Sequence, residues 1–229
     1  MIVGVMQPYL FPYLGYYQLV NHCDKFVFYD DVNFITRGYI NRNNILSQGK
    51  AQRFTIPVIK ASQNVNINEL YFSNDVKKIL VTLKHSYQKA PFFADVFPII
   101  ESILLSENRN VAEITSLSII KVFDYLGVKK DVYYSSVLSY NREEGAADKL
   151  ISICENFDAT KYCNSLGGQS LYSKAYFIEK GVELSFIDMN EIKYLQGKSD
   201  FVNHLSIIDV LMWNSKEDVI NLLSNYSLV

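Results

Sequence analysis

The chain opens on Met1-Ile2-Val3-Gly4-Val5-Met6, an apolar run of strand length. It breaks at Gln7-Pro8-Tyr9-Leu10-Phe11-Pro12 and resumes from Tyr13-Leu14-Gly15-Tyr16 as an apolar-periodic stretch to Cys23. A second run of strand character, Lys25 to Tyr29, follows at once. A buried strand that breaks at a proline-bracketed aromatic loop and restarts as a helix is how α/β proteins place a ligand over strand ends. The opening segment therefore reads as a binding site on an α/β framework.

Downstream, the β-branched and aromatic residues around Gln48-Gly49 predict a hairpin or two sheet strands, its polar loop on the ligand side. From Asn74 the spacing turns helical, with Val76, Ile79, Leu80, Leu83 and Tyr87 on one face, Ser73 or Asn74 as N-cap and Pro91 as the stop. Two further helices, Phe93 to Leu105 and Val111 to Leu126 with Gly127 as C-cap, complete a helical insert over about 74–126. Alternation then returns. A strand near Val132 to Ser135, a helix from Gly145 to Asn156 and a strand around Lys161 to Asn164 come first. A helix to Lys180 and a strand from Glu183 to Ile187 follow, and helices Ser206 to Trp213 and Lys216 to Tyr226 close the chain. Strands separated by single helices imply a parallel sheet. The expected architecture is one compact α/β unit over 1–229, a Rossmann-like parallel sheet with a helical insert in its middle third.

Composition narrows the partners. With 49% hydrophobic and 20% charged residues the chain is ordinary for a globular protein, but 17 Tyr and 14 Phe are many, and aromatics with a polar tip suit wet pockets and interfaces. A net charge of −2 argues against nucleic acid, which wants clustered Lys and Arg. Gln7, Pro8 and Pro12 interrupt the first apolar run and no basic segment precedes it, so neither a signal peptide nor a membrane span is expected, and the location expected is cytoplasmic. Cys23, Cys154 and Cys163 lack metal or disulfide spacing and read as small buried thiols, with Cys163 notable at a strand end. No metal cluster and no hydrolase signature is present in the spacing, and His22, His85 and His204 read as surface or satisfied core residues.

Four segments carry candidate chemistry. In the loop from Gln7 to Tyr16, Gly15 lets the backbone pass close to a ligand and the helix start offers N–H groups to an anion; Tyr9, Tyr13 and Tyr16 either line that site or plug the core with Phe11. Asp30-Asp31 stands at the carboxyl end of the second strand as a general base, a magnesium ligand, an amine anchor or a solvated turn. On an extended backbone the two point opposite ways. In Arg37-Gly38-Tyr39-Ile40-Asn41-Arg42-Asn43, the Arg37 and Arg42 forks with the Asn41 and Asn43 amides match a phosphate or carboxylate clamp, or make an ordinary solvated loop. Asn164, Gly167, Gly168 and Gln169 form a glycine turn after a strand, where successive N–H groups cradle an anion. The partner these imply is a small, anionic molecule; the sequence names no cofactor and leaves an oligomer open.

Met6-Gln7-Pro8-Tyr9-Leu10-Phe11-Pro12-Tyr13-Leu14-Gly15-Tyr16, Phe28-Tyr29-Asp30-Asp31-Val32, Arg37-Gly38-Tyr39-Ile40-Asn41-Arg42, Tyr87-Gln88-Lys89-Ala90-Pro91, Leu166-Gly167-Gly168 and Leu205-Ser206-Ile207-Ile208-Asp209 together resemble the WbqC-like proteins. That resemblance implies a role in bacterial surface polysaccharide (O-antigen, lipopolysaccharide) biosynthesis, as a transferase placing an acyl or aminoacyl group such as glycine on an amino sugar. The rival is a noncatalytic sugar-nucleotide-binding or scaffold protein of the same pathway. In the transferase reading Asp30 or Asp31 takes the amine proton, the start of the first helix with Arg37 and Arg42 holds the anionic donor, and the Leu166 to Gln169 turn closes the pocket. The opening also resembles, more remotely, the layout of nucleotidylyltransferases and pantothenate synthetases, whose His-x-Gly-His is Tyr13-Leu14-Gly15-Tyr16 here. An ATP-using ligase is the third reading.

Overall fold

The computed structural model describes residues 1–197 and 200–229. It begins with β1 (Ile2–Met6), α1 (Leu14–His22) and β2 (Lys25–Phe28). A long excursion follows: the hairpin β3 (Arg42–Ser47) and β4 (Lys50–Thr55), the two-residue strands β5 (Val58–Ile59) and β6 (Tyr71–Phe72), then α2 (Lys77–Tyr87), α3 (Phe93–Leu104) and α4 (Val111–Leu126). The chain returns through β7 (Asp131–Tyr134), α5 (Ala146–Glu155), β8 (Lys161–Ser165), α6 (Lys174–Glu179) and β9 (Glu183–Met189). It ends in α7 (Ile207–Trp213), α8 (Lys216–Leu222) and β10 (Tyr226–Leu228).

The main sheet has the order β10-β9-β8-β1-β2-β7, and every pairing is parallel except β10 with β9. Two-residue periodicity sorts its side chains onto two faces. Phe26, Phe28, Cys163 and Ile187 join the apolar cluster that holds Leu19 and Val20 of α1, Ile119, Val122 and Phe123 of α4 and Val219 of α8. Val3, Val5, Val27 and Tyr162 join the second cluster, with Leu150 and Ile153 of α5 and Phe177 of α6. Helices thus cover both faces of a mostly parallel sheet, the Rossmann-like α/β arrangement with a helical insert. No helix among the described residues is long and apolar enough to cross a membrane.

Several boundaries differ from the sequence pattern for local reasons. The helix expected over 216–226 stops at Leu222, where Gln18 Nε2 takes the carbonyls of Leu222 (2.9 Å) and Asn225 (3.0 Å), and Tyr226 then pairs antiparallel with Met189. Ser73 and Asn74 do not cap α2. Ser73 Oγ accepts from the Asp75 amide at 3.2 Å, the Val76 amide bonds Asn74 O at 2.9 Å, and this turn delays the helix to Lys77. The helix ending at Lys180 is short because its N-cap is Ser173, whose hydroxyl accepts from Tyr176 N. The hairpin at Gln48-Gly49 is present, with both turn residues at positive φ, +50° and +73°, the twist that two-residue hairpin loops favour.

Candidate functional site

From β1 the chain goes by α1 to β2 on one side, while β8 lies on the other, so strand order reverses at β1. Ligands of open α/β sheets bind outside the carboxyl ends at such a reversal. The Gln7–Tyr13 loop leaves β1 there and is tied down throughout. Leu10 N bonds Ile40 O (3.0 Å), Phe11 N bonds Ser118 Oγ (3.0 Å), and Ile207 N bonds Pro12 O (2.8 Å). Phe11 O accepts from both Asn43 Nδ2 and Ser206 Oγ at 2.7 Å. These bonds hold Phe11 at φ +43°, a conformation an L-residue keeps only when its surroundings over-determine it.

This shape divides the rings. Leu10 and Phe11 are buried in the core, as is Tyr16, whose Oη donates to Gln7 O at 3.2 Å beside the half-buried Gln7 side chain. Tyr9 and Tyr13 turn outward and line a cleft of about 260 Å³ with Tyr39, Asn43 and His204. Tyr9 meets Tyr16 edge-on at 5.0 Å and tilts against Tyr39 at 6.5 Å; Tyr13 meets His204 edge-on at 6.3 Å. Tyr13 and His204 also wall a second hollow of about 20 Å³, room for about one water, with Leu14, Met189, Tyr194 and Phe201. The loop is both plug and pocket wall, residue by residue.

Burial pushes the Tyr9 phenol well above its usual range, helped by Tyr13, Tyr16 and Tyr17 and opposed by the Tyr13 amide; burial also raises Tyr13. Both phenols therefore stay neutral hydrogen-bond donors and acceptors at physiological pH. Asn43 serves the wall: its Nδ2 is committed to the Leu10 and Phe11 carbonyls and its Oδ1 accepts from Asn44 N.

The close approach that Gly15 permits is made by a ring of the protein itself, since a Cβ on Gly15 would fall 2.5 Å from Tyr13 Cε2. Gly15→Ala is therefore expected to swing Tyr13 toward the cleft. Stability should hold or rise by up to about 1 kcal/mol, because alanine favours helix. Thermal unfolding together with the near-ultraviolet circular dichroism of the tyrosines checks this; an unchanged tyrosine signal counts against it.

Asp30 and Asp31 do not diverge. Strand β2 has ended at Phe28, so strand alternation no longer applies, and both carboxylates converge on the buried Ser135. Asp30 also accepts from Ser136 N (2.9 Å), Ser136 Oγ (2.7 Å) and Asn68 Nδ2 (3.4 Å). Asp31 accepts from Tyr140 Oη (2.8 Å) and Arg142 Nε (2.7 Å). The couplet is a clasp between the ends of β2 and β7, its oxygens occupied by donors of the chain.

None of the remaining candidates is among the cleft walls. Arg37 is exposed at φ +63°, Arg42 is half-buried with its Nε partnerless, and Asn41 is buried with Nδ2 on Ile56 O at 2.8 Å and Oδ1 free. Beyond β8, Asn164 Oδ1 accepts from Ser165 N (2.8 Å), and its Nδ2 lies 2.8 Å from where a Cβ on Gly168 would be. Gly167 and Gln169 are exposed, and the Gln169 amide is used within the turn on Leu166 O at 3.0 Å. All three cysteines are buried free thiols, and burial raises each, Cys154 to about 12, so none is primed as a nucleophile.

The sequence places Asn43 in an anion clamp, whereas its amide is committed to the cleft loop; it reads His204 as a surface or satisfied core residue and gives no role to Tyr39 of the cleft or to the buried carboxylate behind it. Asp209, 0% exposed, accepts from Tyr87 Oη (2.8 Å), Tyr194 Oη (2.9 Å) and Gln196 Nε2 (2.8 Å), while Leu46 N donates to Tyr87 Oη at 2.9 Å. One acid inside the apolar run Ile207–Trp213 is the signal that marks it, since a buried charge must be paired or hydrogen-bonded. The bonds from Tyr87, Tyr194 and Gln196 pull the carboxyl down, yet burial outweighs them and raises it. Asp209 joins α2, β3 and α7 to the segment after β9 that carries Tyr194, next to the smaller hollow.

Comparison with known proteins gives a relative in Mycobacterium tuberculosis, described as the uncharacterized protein Rv1507c. It is 26% identical over 214 residues, which is 91% of this chain and 92% of the relative. No solved structure matches the chain. A model of the WbqC-like protein family matches residues 7–221, from the cleft loop through Asp209 to α8, and the chain belongs to that family.

Proposed function

We propose that the protein is a transferase of surface-polysaccharide assembly that places an acyl or aminoacyl group on the amine of an amino sugar held in the tyrosine cleft. One observation carries the reading: a cleft at the reversal of strand order, walled by three phenols, a carboxamide and an imidazole. Aromatic faces take the C–H side of a sugar ring and phenol hydroxyls meet its edge. In the reaction the amine nitrogen attacks the carbonyl carbon of the donor and a C–N bond forms. The bond to the leaving group breaks with its electron pair, and the amine proton passes to a base. His204, exposed on the cleft wall, is the group suited to receive it, and Asp30 and Asp31 act from further out by holding the ends of β2 and β7.

The engaged carboxylates of Asp30 and Asp31 favour a second reading, a noncatalytic protein that binds the same sugar. Mass spectrometry separates the two. The protein is incubated with acyl thioesters or aminoacyl adenylates and a panel of amino sugars and their nucleotide forms. A product heavier by the acyl group supports the transferase; binding across the panel without product supports the second reading and overturns the first.

A further inference from the structure

We propose that Arg42 and Arg53 form an anion subsite on one face of the β3–β4 ladder, beside the tyrosine cleft, for the phosphates of a phosphorylated sugar. The sugar half of this statement rests on the reading above; the anion half stands on its own observations.

The cleft walls offer an anion little. Burial keeps the Tyr9 and Tyr13 phenols neutral and the Asn43 amide is already committed, so what fits between them is an uncharged ring. Positive charge lies immediately beside. From Val32 to Asn68 the chain carries Arg37, Arg42, Lys50, Arg53 and Lys60 and no Asp or Glu, although the whole protein has a net charge of −2. In the antiparallel register Arg42 faces Thr55 and Asn44 faces Arg53, which puts both arginines on the same side of the ladder as diagonal neighbours. Such neighbours are roughly 7–8 Å apart, a span that one phosphate group or a diphosphate bridges.

Neither guanidinium has a carboxylate partner among the described residues, and the Arg42 Nε is buried with no acceptor. Arg109 shares the partnerless buried Nε, but its terminal nitrogens, like those of Arg142, find acceptors. Arg109 donates to the carbonyls of Leu104, Ser106 and Ser73, and Arg142 to Asp31 and four carbonyls of the segment after β7. A guanidinium N–H kept from water without an acceptor is unfavourable, and an anion supplies what is missing. The position also fits. Arg42 directly precedes Asn43 of the cleft wall, and its amide donates at 3.3 Å to the carbonyl of Tyr39, another wall residue. Strand alternation turns the Arg42 side chain to the face of the ladder opposite Asn43, so a ligand with a neutral ring and a charged tail reaches both halves of its site around the end of β3.

Calorimetric titration of the whole chain tests this with three probes: inorganic pyrophosphate, UDP-N-acetylglucosamine and uncharged N-acetylglucosamine. Wild type is expected to bind pyrophosphate. Arg42→Gln and Arg53→Gln are each expected to weaken pyrophosphate and the nucleotide sugar by roughly tenfold, and the pair by roughly a hundredfold, with a shallower salt dependence. Lys78→Gln, on the exposed side of α2, should bind as wild type does. Arg53 is exposed, so its variant remains informative if the Arg42 change perturbs folding. Absence of pyrophosphate binding by wild type, unchanged affinity in both arginine variants, or an equal loss in Lys78→Gln overturns the subsite. N-acetylglucosamine that still binds when pyrophosphate does not leaves the cleft reading intact; arginine-dependent pyrophosphate binding with no sugar bound supports the subsite and removes the cleft.

Discussion

Truncating Asp209 to alanine is expected to lower stability by about 3 kcal/mol at neutral pH, a fall of about 10 °C in the midpoint for a chain of this size. Three buried donors, on Tyr87, Tyr194 and Gln196, lose their acceptor together. Relief of a desolvated charge returns only part of that. Asp209→Asn should cost less, and its cost should depend on pH in a defined direction. A carboxyl raised by folding contributes its stability in full below the ordinary carboxylate range, and that contribution is lost as pH rises through the raised value. The advantage of wild type over Asp209→Asn is therefore largest in acid and shrinks toward neutrality. Urea unfolding of both proteins between pH 4 and 7 measures it; a difference that widens with rising pH would contradict the assignment.

Replacing His204 with alanine is expected to reduce transfer by roughly 10²–10⁴-fold, the usual contribution of a positioned acid–base group, chiefly in kcat. Stability should change little, because the side chain is exposed and its aromatic neighbour is the Tyr13 ring, met edge-on at 6.3 Å. His204→Gly sharpens the test, since glycine accepts the backbone φ of +57° there and removes the ring at once. Full activity in both variants, with the authentic substrates, excludes His204 as the proton acceptor. A selective rise in KM would instead make its ring part of the sugar-binding wall.

The framework is legible in the sequence because apolar runs of strand length alternate with helical spacing, as in Ile2–Met6, Leu14–His22 and Lys25–Phe28. Gly127 at a left-handed C-cap and the Gln48-Gly49 turn are equally local signals. The neighbours of β1 are not local, and neither is β10, whose three residues pair only because Gln18 ends α8. The site divides in the same way. Two prolines and a run of rings mark the Gln7–Tyr16 loop, but which rings face out is decided by bonds from Ser118, Asn43 and Ser206, far along the chain. His204 sits in an irregular segment without periodicity, brought to the cleft by the bonds of Ser206 to Asn44 O and Phe11 O and of Ile207 to Pro12 O. Asp30 and Asp31 are legible as a strand-end couplet, yet their partners Ser135, Ser136, Tyr140 and Arg142 lie about a hundred residues on, so their occupancy is invisible locally.

Tyr13 is a partition shared by two chambers of unequal size, one of about 260 Å³ and the other with room for about a single water. A guest that pushes the ring away from the cleft moves it into the small chamber. On the sugar-binding reading, a bulkier guest against Tyr13 is therefore expected to alter the space beside Tyr194, whose hydroxyl donates to Asp209.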